Sequence, residues 1–388
     1  MREFIDGATA IARAAIAAKC DFFAGYPISP ATPLLLHMIR ELPKVGGVAI
    51  QAEDEIASIC MCIGAAMTGA RALTATSGPG ISLFSENLGL AIMGEVPLVI
   101  VDAQRLGPAT GGATTPSQGD VQFVRWGTSG GYPIIALAPG TAAECYCLTL
   151  RAFDLSERFR TPVFLLTDKE TFLTHSAVDA AGYQTPAVRS RRTPTSATPA
   201  QAGQEYLPWR FEPMDLPPAF SPIGGEHLIR FTGSSHDERG FLTKDPTLVG
   251  HLNEHLWRKI EDHRCEIEMS KQDLDTDAET LFVSYGVTSG AMAEALAVGR
   301  RAGLSVSAFT PLTIWPVPAA SLLAAVQKHR RLQRIVVAEL NLGDFRREVE
   351  RVVYGWAAGQ RVAAPEIMGI NRLDGELITP DQILGACR

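Results

Sequence analysis

In the first half of the chain, short apolar runs alternate with stretches whose apolar positions recur every three to four residues. The first pattern fits buried strands and the second fits amphipathic helices. Ile5 to Ala18 predicts a helix, and Phe22 to Tyr26 a strand closed by the turn Pro27-Ile28-Ser29-Pro30. Helix at Leu34 to Leu42, strand at Val48 to Gln51 and helix at Asp54 to Thr68 follow. Ala72 to Thr76 predicts a strand closed by Ser77-Gly78-Pro79-Gly80, followed by a helix over Leu83 to Gly94. Pro97 to Asp102 and Pro162 to Thr167 are apolar strands, with a long helix at Ala142 to Phe159. Apolar strands separated by helices imply a parallel sheet covered on both faces. Ligands in such sheets bind at the carboxyl ends of strands. The unusual turns at Pro27, Ser77 and Gln104 all lie there.

The middle of the chain breaks the pattern. Prolines, threonines and serines crowd Thr193 to Pro222, and Phe231 to Gly240 reads as a polar loop. A charged helix is expected over Leu252 to Glu268. Alternation then returns: strands at Leu281 to Tyr285, Val306 to Phe309 and Ile335 to Glu339, and helices at Ser289 to Ala302, Ala319 to His329 and Arg346 to Tyr354. The expected fold class is α/β, with two open, mostly parallel α/β domains. The expected divisions are residues 1–185 and 275–388, joined by an irregular connector over 186–274.

Composition narrows the function classes. The 388 residues carry a formal charge of -7, which argues against nucleic-acid binding by phosphate neutralisation. The basic runs Arg189 to Arg192 and His329 to Arg334 read as solvated surface. No stretch reaches the roughly 18 uninterrupted apolar residues of a spanning helix. Glu3 and Asp6 argue against reading the first segment as a signal peptide, and cytoplasmic location is the default expectation. Seven cysteines lack zinc or iron–sulfur spacing. Cys60, Cys62, Cys145 and Cys147 are therefore expected to be buried thiols, and no metal site is expected on this chain.

Three turns could carry chemistry. Glu53, Asp54 and Glu55 open a helix whose apolar stripe includes Ile56, Ile59, Cys60 and Ile63. Taken alone, such an acidic first turn also fits plain complementation of the helix dipole. Ser77-Gly-Pro-Gly80 allows close backbone approach to a ligand, or merely a tight connection. Arg105, at a strand end, could grip a carboxylate with a bidentate pair, or lie on the surface of a mobile loop.

In order along the chain, GYPISPATP (from Gly25), QAEDEIAS (from Gln51), TATSGPG (from Thr74), QRLGPATG (from Gln104), RTPVFLLTDKE (from Arg160) and TGSSHDERG (from Thr232) resemble the alpha subunit of 2-oxoacid:ferredoxin oxidoreductases, the 2-oxoglutarate enzymes above all. The resemblance runs along nearly the whole chain. It implies a thiamine-diphosphate pyrimidine-binding domain first and a transketolase C-terminal-like domain last. It implies that Glu55 hydrogen-bonds N1′ of the aminopyrimidine, with Glu53 as the fallback; Ser58 and Gly64 follow Glu55 at that helix's usual intervals. Tyr26, Pro27, Ile28, Gly78 and Pro79 would line the cofactor. Arg105 would hold the 2-oxo acid's carboxylate, and Ser29 would add a hydroxyl where many relatives have threonine.

The family's diphosphate motif, GDG…N, is missing. Gly343-Asp344-Phe345 with Asn371 imitates it only superficially. The resemblance therefore implies a beta subunit that carries the diphosphate, Mg2+ and an iron–sulfur cluster, and possibly further small subunits. Coenzyme A would accept the acyl group, and ferredoxin or a similar acceptor the electrons. Rival readings are a self-contained thiamine-dependent enzyme, a non-catalytic scaffold subunit, and a branched-chain or aryl 2-oxo acid as substrate.

Overall fold

The computed structural model describes residues 2–179, 187–194 and 206–387. The expected division at 185/186 and part of the proline-rich stretch lie outside the described residues. Seven strands form the first sheet, in the order Thr313–Trp315, Ile135–Leu137, Pro162–Asp168, Leu98–Gln104, Ala72–Thr76, Phe22–Gly25, Val48–Gln51. All run parallel except Thr313–Trp315 at one edge. Pro162–Asp168, Leu98–Gln104 and Ala72–Thr76 are buried along their whole length, which is why they read as unbroken apolar runs. Helices Gly7–Ala17, Thr32–Glu41 and Ala142–Phe159 cover one face, and Glu55–Met67 and Ser85–Met93 the other.

The second sheet has the order Glu366–Asn371, Arg334–Glu339, Thr280–Val283, Val306–Pro311, Ser270–Asp273, with only the last strand antiparallel. One buried apolar cluster runs from Ile100 and Phe164 in the first sheet to Val283 and Val337 in the second. The α/β class and the mostly parallel sheets follow the expectation.

Several expectations need correction. The first helix starts at Gly7, because Asp6 caps it by accepting from the Thr9 amide at 2.7 Å. Arg2–Ile5 is instead a strand, antiparallel to Ser176–Asp179. The helix expected over Leu83 to Gly94 is two helices, Pro79–Leu83 and Ser85–Met93. The charged helix begins earlier, at Pro246, where Asp245 caps it and Pro246 suits the first turn. It stops at Glu261, and a short helix, Arg264–Ile267, follows. Thr313–Trp315 belongs to the last section of sequence yet completes the first sheet.

The run Arg189 to Arg192 is not simply solvated surface. Arg189 forks onto Asp154 at 2.8 and 2.7 Å. Arg191 is buried and forks onto Glu157 through Nε and Nη2 at 2.9 and 2.6 Å, while Nη1 donates to the Ala66 carbonyl and Nη2 also to the Ala70 carbonyl. His329 is also buried, bonded to the Ala325 carbonyl and the Ser307 hydroxyl. Residues more than thirty positions away supply the arginines' partners, so composition could not reveal them. Of the paired cysteines, Cys62 and Cys145 are buried, but Cys147 is half-buried and Cys60 is exposed.

The connector is anchored by a second buried ionic group. Glu95 receives Lys259 Nζ at 2.8 Å and lies 3.1 Å from His255 Nε2. Arg160 donates to the Glu95 and Pro218 carbonyls at 3.1 and 2.9 Å. Burial alone would raise the Glu95 carboxyl, but Lys259, His255 and Arg160 outweigh it and hold it well below the usual range. Glu95→Gln is expected to cost about 3–5 kcal/mol in urea unfolding, because it leaves Lys259 buried without a counter-charge. Arg258→Ala, at an exposed ion pair, is expected to cost at most about 1 kcal/mol. The Glu95 contribution is complete above the ordinary carboxylate value of about 4 and fades as the pH falls towards the depressed folded value. The gap between wild type and Glu95→Gln should therefore narrow in acid.

Candidate active site

The sheet register brings three strand ends together. Thr76 lies opposite Asp102 on one side, and Gln104 lies opposite Asp168 on the other. The Ser77-Gly-Pro-Gly80 turn leaves the first of these strands and Arg105 follows the second. Gly78 takes φ +42°, a region that a side chain disfavours.

Glu55 enters from the helix Glu55–Met67. Asp54 caps that helix, accepting from the Ala57 amide at 2.7 Å, and this leaves Glu55 as its first residue. Glu55 is buried, whereas Glu53 is exposed. Its carboxyl lies beside Gly80. A methyl on Gly80 would sit 2.7 Å from Glu55 Oε1 and 2.1 Å from Thr76 Oγ1. Gly80 is thus the cradle in which Glu55 and Thr76 approach the turn.

Arg105 is buried, not on the surface of a mobile loop. Its Nη1 donates to the Ser29 carbonyl at 2.6 Å, and its side chain passes 3.4 Å from where a Gly78 methyl would lie. The contact to Ser29 is therefore made by the backbone, while the residue itself is exposed. Tyr26 and Pro27 are exposed beside it and Ile28 is half-buried. The structure thus brings Arg105 against the Ser29 carbonyl and Gly78, and Glu55 against Gly80 of the same turn.

Sequence reasoning missed three contributors. Asp102, at the end of an otherwise apolar strand, is fully buried; an acid in PLVIVD was the available signal. Burial raises its carboxyl well above the usual range, and the neighbouring Asp120 carboxyl adds to the rise. Asp120 is pushed up to about 6, chiefly by burial and partly by Asp344, against the lowering influence of the nearby Asp102 carboxyl and the charge of Arg105. Nothing local marked Asp120. Gln118 is the third. Its amide nitrogen donates to Asp168 Oδ2 and the Tyr285 carbonyl, both at 3.1 Å, and its oxygen accepts from the Leu340 amide at 3.0 Å. It ties the segment after Arg105 to the second sheet.

The region is short of hydrogen-bond partners. Among the described residues, buried atoms without a partner include Oγ of Thr74, Thr76 and Ser77, both oxygens of Asp102, Arg105 Nε and Asp120 Oδ2. Buried polar groups are ordinarily satisfied; of these atoms the Thr76 and Ser77 hydroxyls and Arg105 Nε are donors that a polar heterocycle or carboxylate could meet. Gly343-Asp344-Phe345 offers no such opening. Asp344 opens the helix Asp344–Gln360 and pairs with Arg347, and the Asn371 amide is spent on the Asn341 carbonyl.

Fold and site together define an α/β chain of two mostly parallel sheets with buried, unpartnered polar groups at the strand ends of the first. Residues 13–244 match the thiamine-diphosphate-binding region of pyruvate flavodoxin/ferredoxin oxidoreductases, and residues 278–383 match core domain II of pyruvate:ferredoxin oxidoreductase. The chain belongs to this oxidoreductase family. The 2-oxoglutarate synthase subunit KorA of Methanocaldococcus jannaschii is 38% identical, over 98% of this chain and 98% of that protein. The ketoisovalerate oxidoreductase subunit VorB of Methanothermobacter thermautotrophicus is 31% identical, over 100% and 97%. The 2-oxoglutarate:ferredoxin oxidoreductase of Magnetococcus marinus, solved with 2-oxoglutarate, coenzyme A and succinyl-CoA, superposes with a TM-score of 0.87 at 28% identity. That match covers 99% of this chain and 64% of the other. A split-gene transketolase shares the fold alone, with a TM-score of 0.53 at 12% identity.

Gly80→Ala tests the cradle. The methyl meets Thr76 Oγ1, on a buried β-branched side chain, and Oε1 and Cγ of Glu55, so both side chains must shift and the Tm is expected to fall. Displacing the Glu55 carboxyl should still lower turnover of the assembled enzyme at least ~10-fold, since small misplacements are costly in catalysis. Wild-type turnover would show that the carboxyl's position is not used.

Proposed function

We propose that this chain is the alpha subunit of an enzyme that oxidatively decarboxylates a 2-oxo acid, 2-oxoglutarate being favoured, to an acyl-coenzyme A. Electrons pass to ferredoxin or a similar acceptor. The observation that carries the reading is the meeting of buried Glu55, the Gly80 cradle and Arg105 at strand ends crowded with unpartnered polar atoms. When bound, thiamine diphosphate supplies the nucleophile and the electron sink for decarboxylation.

The chain's residues do the rest at this end of the site. Glu55 holds a proton at N1′ of the aminopyrimidine ring. Its place at a helix start, walled by Gly80, fixes where that proton sits. Tyr26, Pro27, Ile28, Gly78 and Pro79 line the ring. Arg105 is anchored through Nη1 on the Ser29 carbonyl, and its buried, unpartnered Nε belongs to the edge that accepts a carboxylate side-on. The Ser29 hydroxyl adds a donor beside it.

A beta subunit supplies the diphosphate and Mg2+ half of the site and an iron–sulfur cluster. Among the described residues no group of three or more His, Cys, Asp or Glu is placed to hold a metal ion. No helix among them is long and apolar enough to cross a membrane, and the cytoplasm is the proposed location. A second substrate class, branched-chain 2-oxo acids, is favoured by the likeness to the ketoisovalerate subunit. Comparing kcat/KM for 2-oxoglutarate and ketoisovalerate in the assembled enzyme decides between them.

With the partner present, Glu55→Gln is expected to lose at least ~10²-fold in kcat, as for a lost acid–base contact. Arg105→Ala is expected mainly to raise KM for the 2-oxo acid. Near-normal values in either variant would remove that residue from the role. Calorimetry on the chain alone, titrated with thiamine diphosphate and Mg2+, is expected to show no tight binding. Stoichiometric tight binding would count against the divided site.

A further inference from the structure

Gln118 is fully buried, and the proposed chemistry gives it no role. It stands near the end of a segment that leaves the strand Leu98–Gln104 at Arg105 and comes back to it at Asp120. The two ends of that excursion are tied at the strand. The Asp120 amide donates to Gln104 Oε1 at 3.1 Å, and Gln104 Nε2 donates to the Thr167 carbonyl at 3.2 Å. The Leu106 amide donates to the Thr115 carbonyl at 2.9 Å. Gln104 and Leu106 flank Arg105, so the arginine is held on both sides by the returning stretch 115–120.

That stretch is in turn fixed to the second domain. Gln118 Nε2 donates to Asp168 Oδ2 and to the Tyr285 carbonyl, both at 3.1 Å, and its Oε1 accepts from the Leu340 amide at 3.0 Å. Its backbone is used as well: the amide donates to the Leu340 carbonyl at 2.9 Å, and the carbonyl accepts from Asn341 Nδ2 at 2.8 Å. Ser117 Oγ donates to the same Leu340 carbonyl at 3.0 Å. Thr115 presses on Gly375, where a methyl would lie 2.0 Å from Thr115 Cγ2.

We infer that Gln118 is a positioning residue for Arg105: it latches the stretch 115–120 to the second domain and so sets how tightly the site holds the carboxylate of the 2-oxo acid. The inference rests on the reading of Arg105 as the carboxylate grip. Arg105 Nη1 reaches the Ser29 carbonyl at 2.6 Å and its side chain passes over Gly78, so the guanidinium is aimed from a backbone whose two neighbours depend on the latch. Glutamine suits the place because one side-chain amide both donates and accepts. An apolar residue would strand the Leu340 amide away from water and loosen the contact. Slack of that kind matters at a carboxylate grip, whose paired hydrogen bonds are geometrically demanding.

Steady-state kinetics of the assembled enzyme, with the 2-oxo acid varied, tests this. Gln118→Ala should raise KM at least ~10-fold with kcat within about 3-fold, the pattern of lost ground-state binding. Added to Arg105→Ala, it should cost no more than about 2-fold further in kcat/KM, because it acts through the arginine. Ser307→Ala is the stability control. It loses the buried bonds to His329 and the Asp275 amide beside the start of the second sheet's strands, at the end opposite the latch. It should lower Tm and leave KM unchanged. With KM raised in Arg105→Ala, a wild-type KM in Gln118→Ala, or an equal rise in Ser307→Ala, overturns the latch but keeps the arginine. An unchanged KM in Arg105→Ala overturns the parent reading instead. Should Gln118→Ala fail to assemble, Gln118→Met, which keeps the side chain's length and loses its hydrogen bonds, carries the same outcomes.

Discussion

Three adjacent parallel strands end at one place, and that place is dry. Ala72–Thr76, Leu98–Gln104 and Pro162–Asp168 carry Thr76, Asp102, Gln104 and Asp168 there, all buried. Polar and charged groups held away from water are costly unless partnered. Some of these groups are partnered within the protein: Gln104 with Thr167, Asp168 with the Thr171 and Val287 amides. Others are not. The unpartnered groups sit against the Gly80 cradle and the Arg105 side chain, and the proposed chemistry follows from that imbalance. On the proposed reading, a polar guest completes them.

The second sheet stabilises this arrangement from outside. Gln118 satisfies its side-chain amide with Asp168, Tyr285 and Leu340, so the segment after Arg105 cannot swing away without stranding buried polar groups. Gly286 makes the approach possible; it has φ +57°, and a methyl there would lie 2.4 Å from both Asp168 Oδ2 and Gln118 Nε2. Thr313–Trp315 adds a strand from the last section to the first sheet. The connector is fixed by Lys259 and His255 on Glu95 and by Arg191 on Glu157. On the proposed reading this rigidity has a use. A partner that anchors the far end of the cofactor needs a fixed wall for the near end.

Much of the fold was legible because burial on both faces leaves a plain mark. PLVIVD and PVFLLT could be little else than central strands, and their alternation with amphipathic helices predicts the parallel sheet. The exposed or short elements left weaker marks. Ser270–Asp273 is a polar edge strand, and Thr313–Trp315 is three residues long. Their pairing is decided by what lies beside them. At the site, Glu55, Ser77 to Gly80 and Arg105 stood out by position at element ends. Asp120 did not, because only the return of the segment to the strand end gives it a neighbour.

What could be read from the sequence alone was the central buried strands, the longer helices between them, the parallel arrangement these imply and the residues at the strand ends. The chemistry expected there came from the resemblance of its ordered motifs to a known family, since each turn alone admitted a plain structural reading. Local periodicity and turn chemistry act over a few residues, so they can be read without the fold. The tertiary structure alone decided which acid is buried, that Arg105 bonds the Ser29 carbonyl, and that Gln118 meets Asp168. It also decided that the basic run at Arg189 is an internal clamp. These depend on contacts between residues far apart in the chain, and on removal from water, which no local pattern encodes.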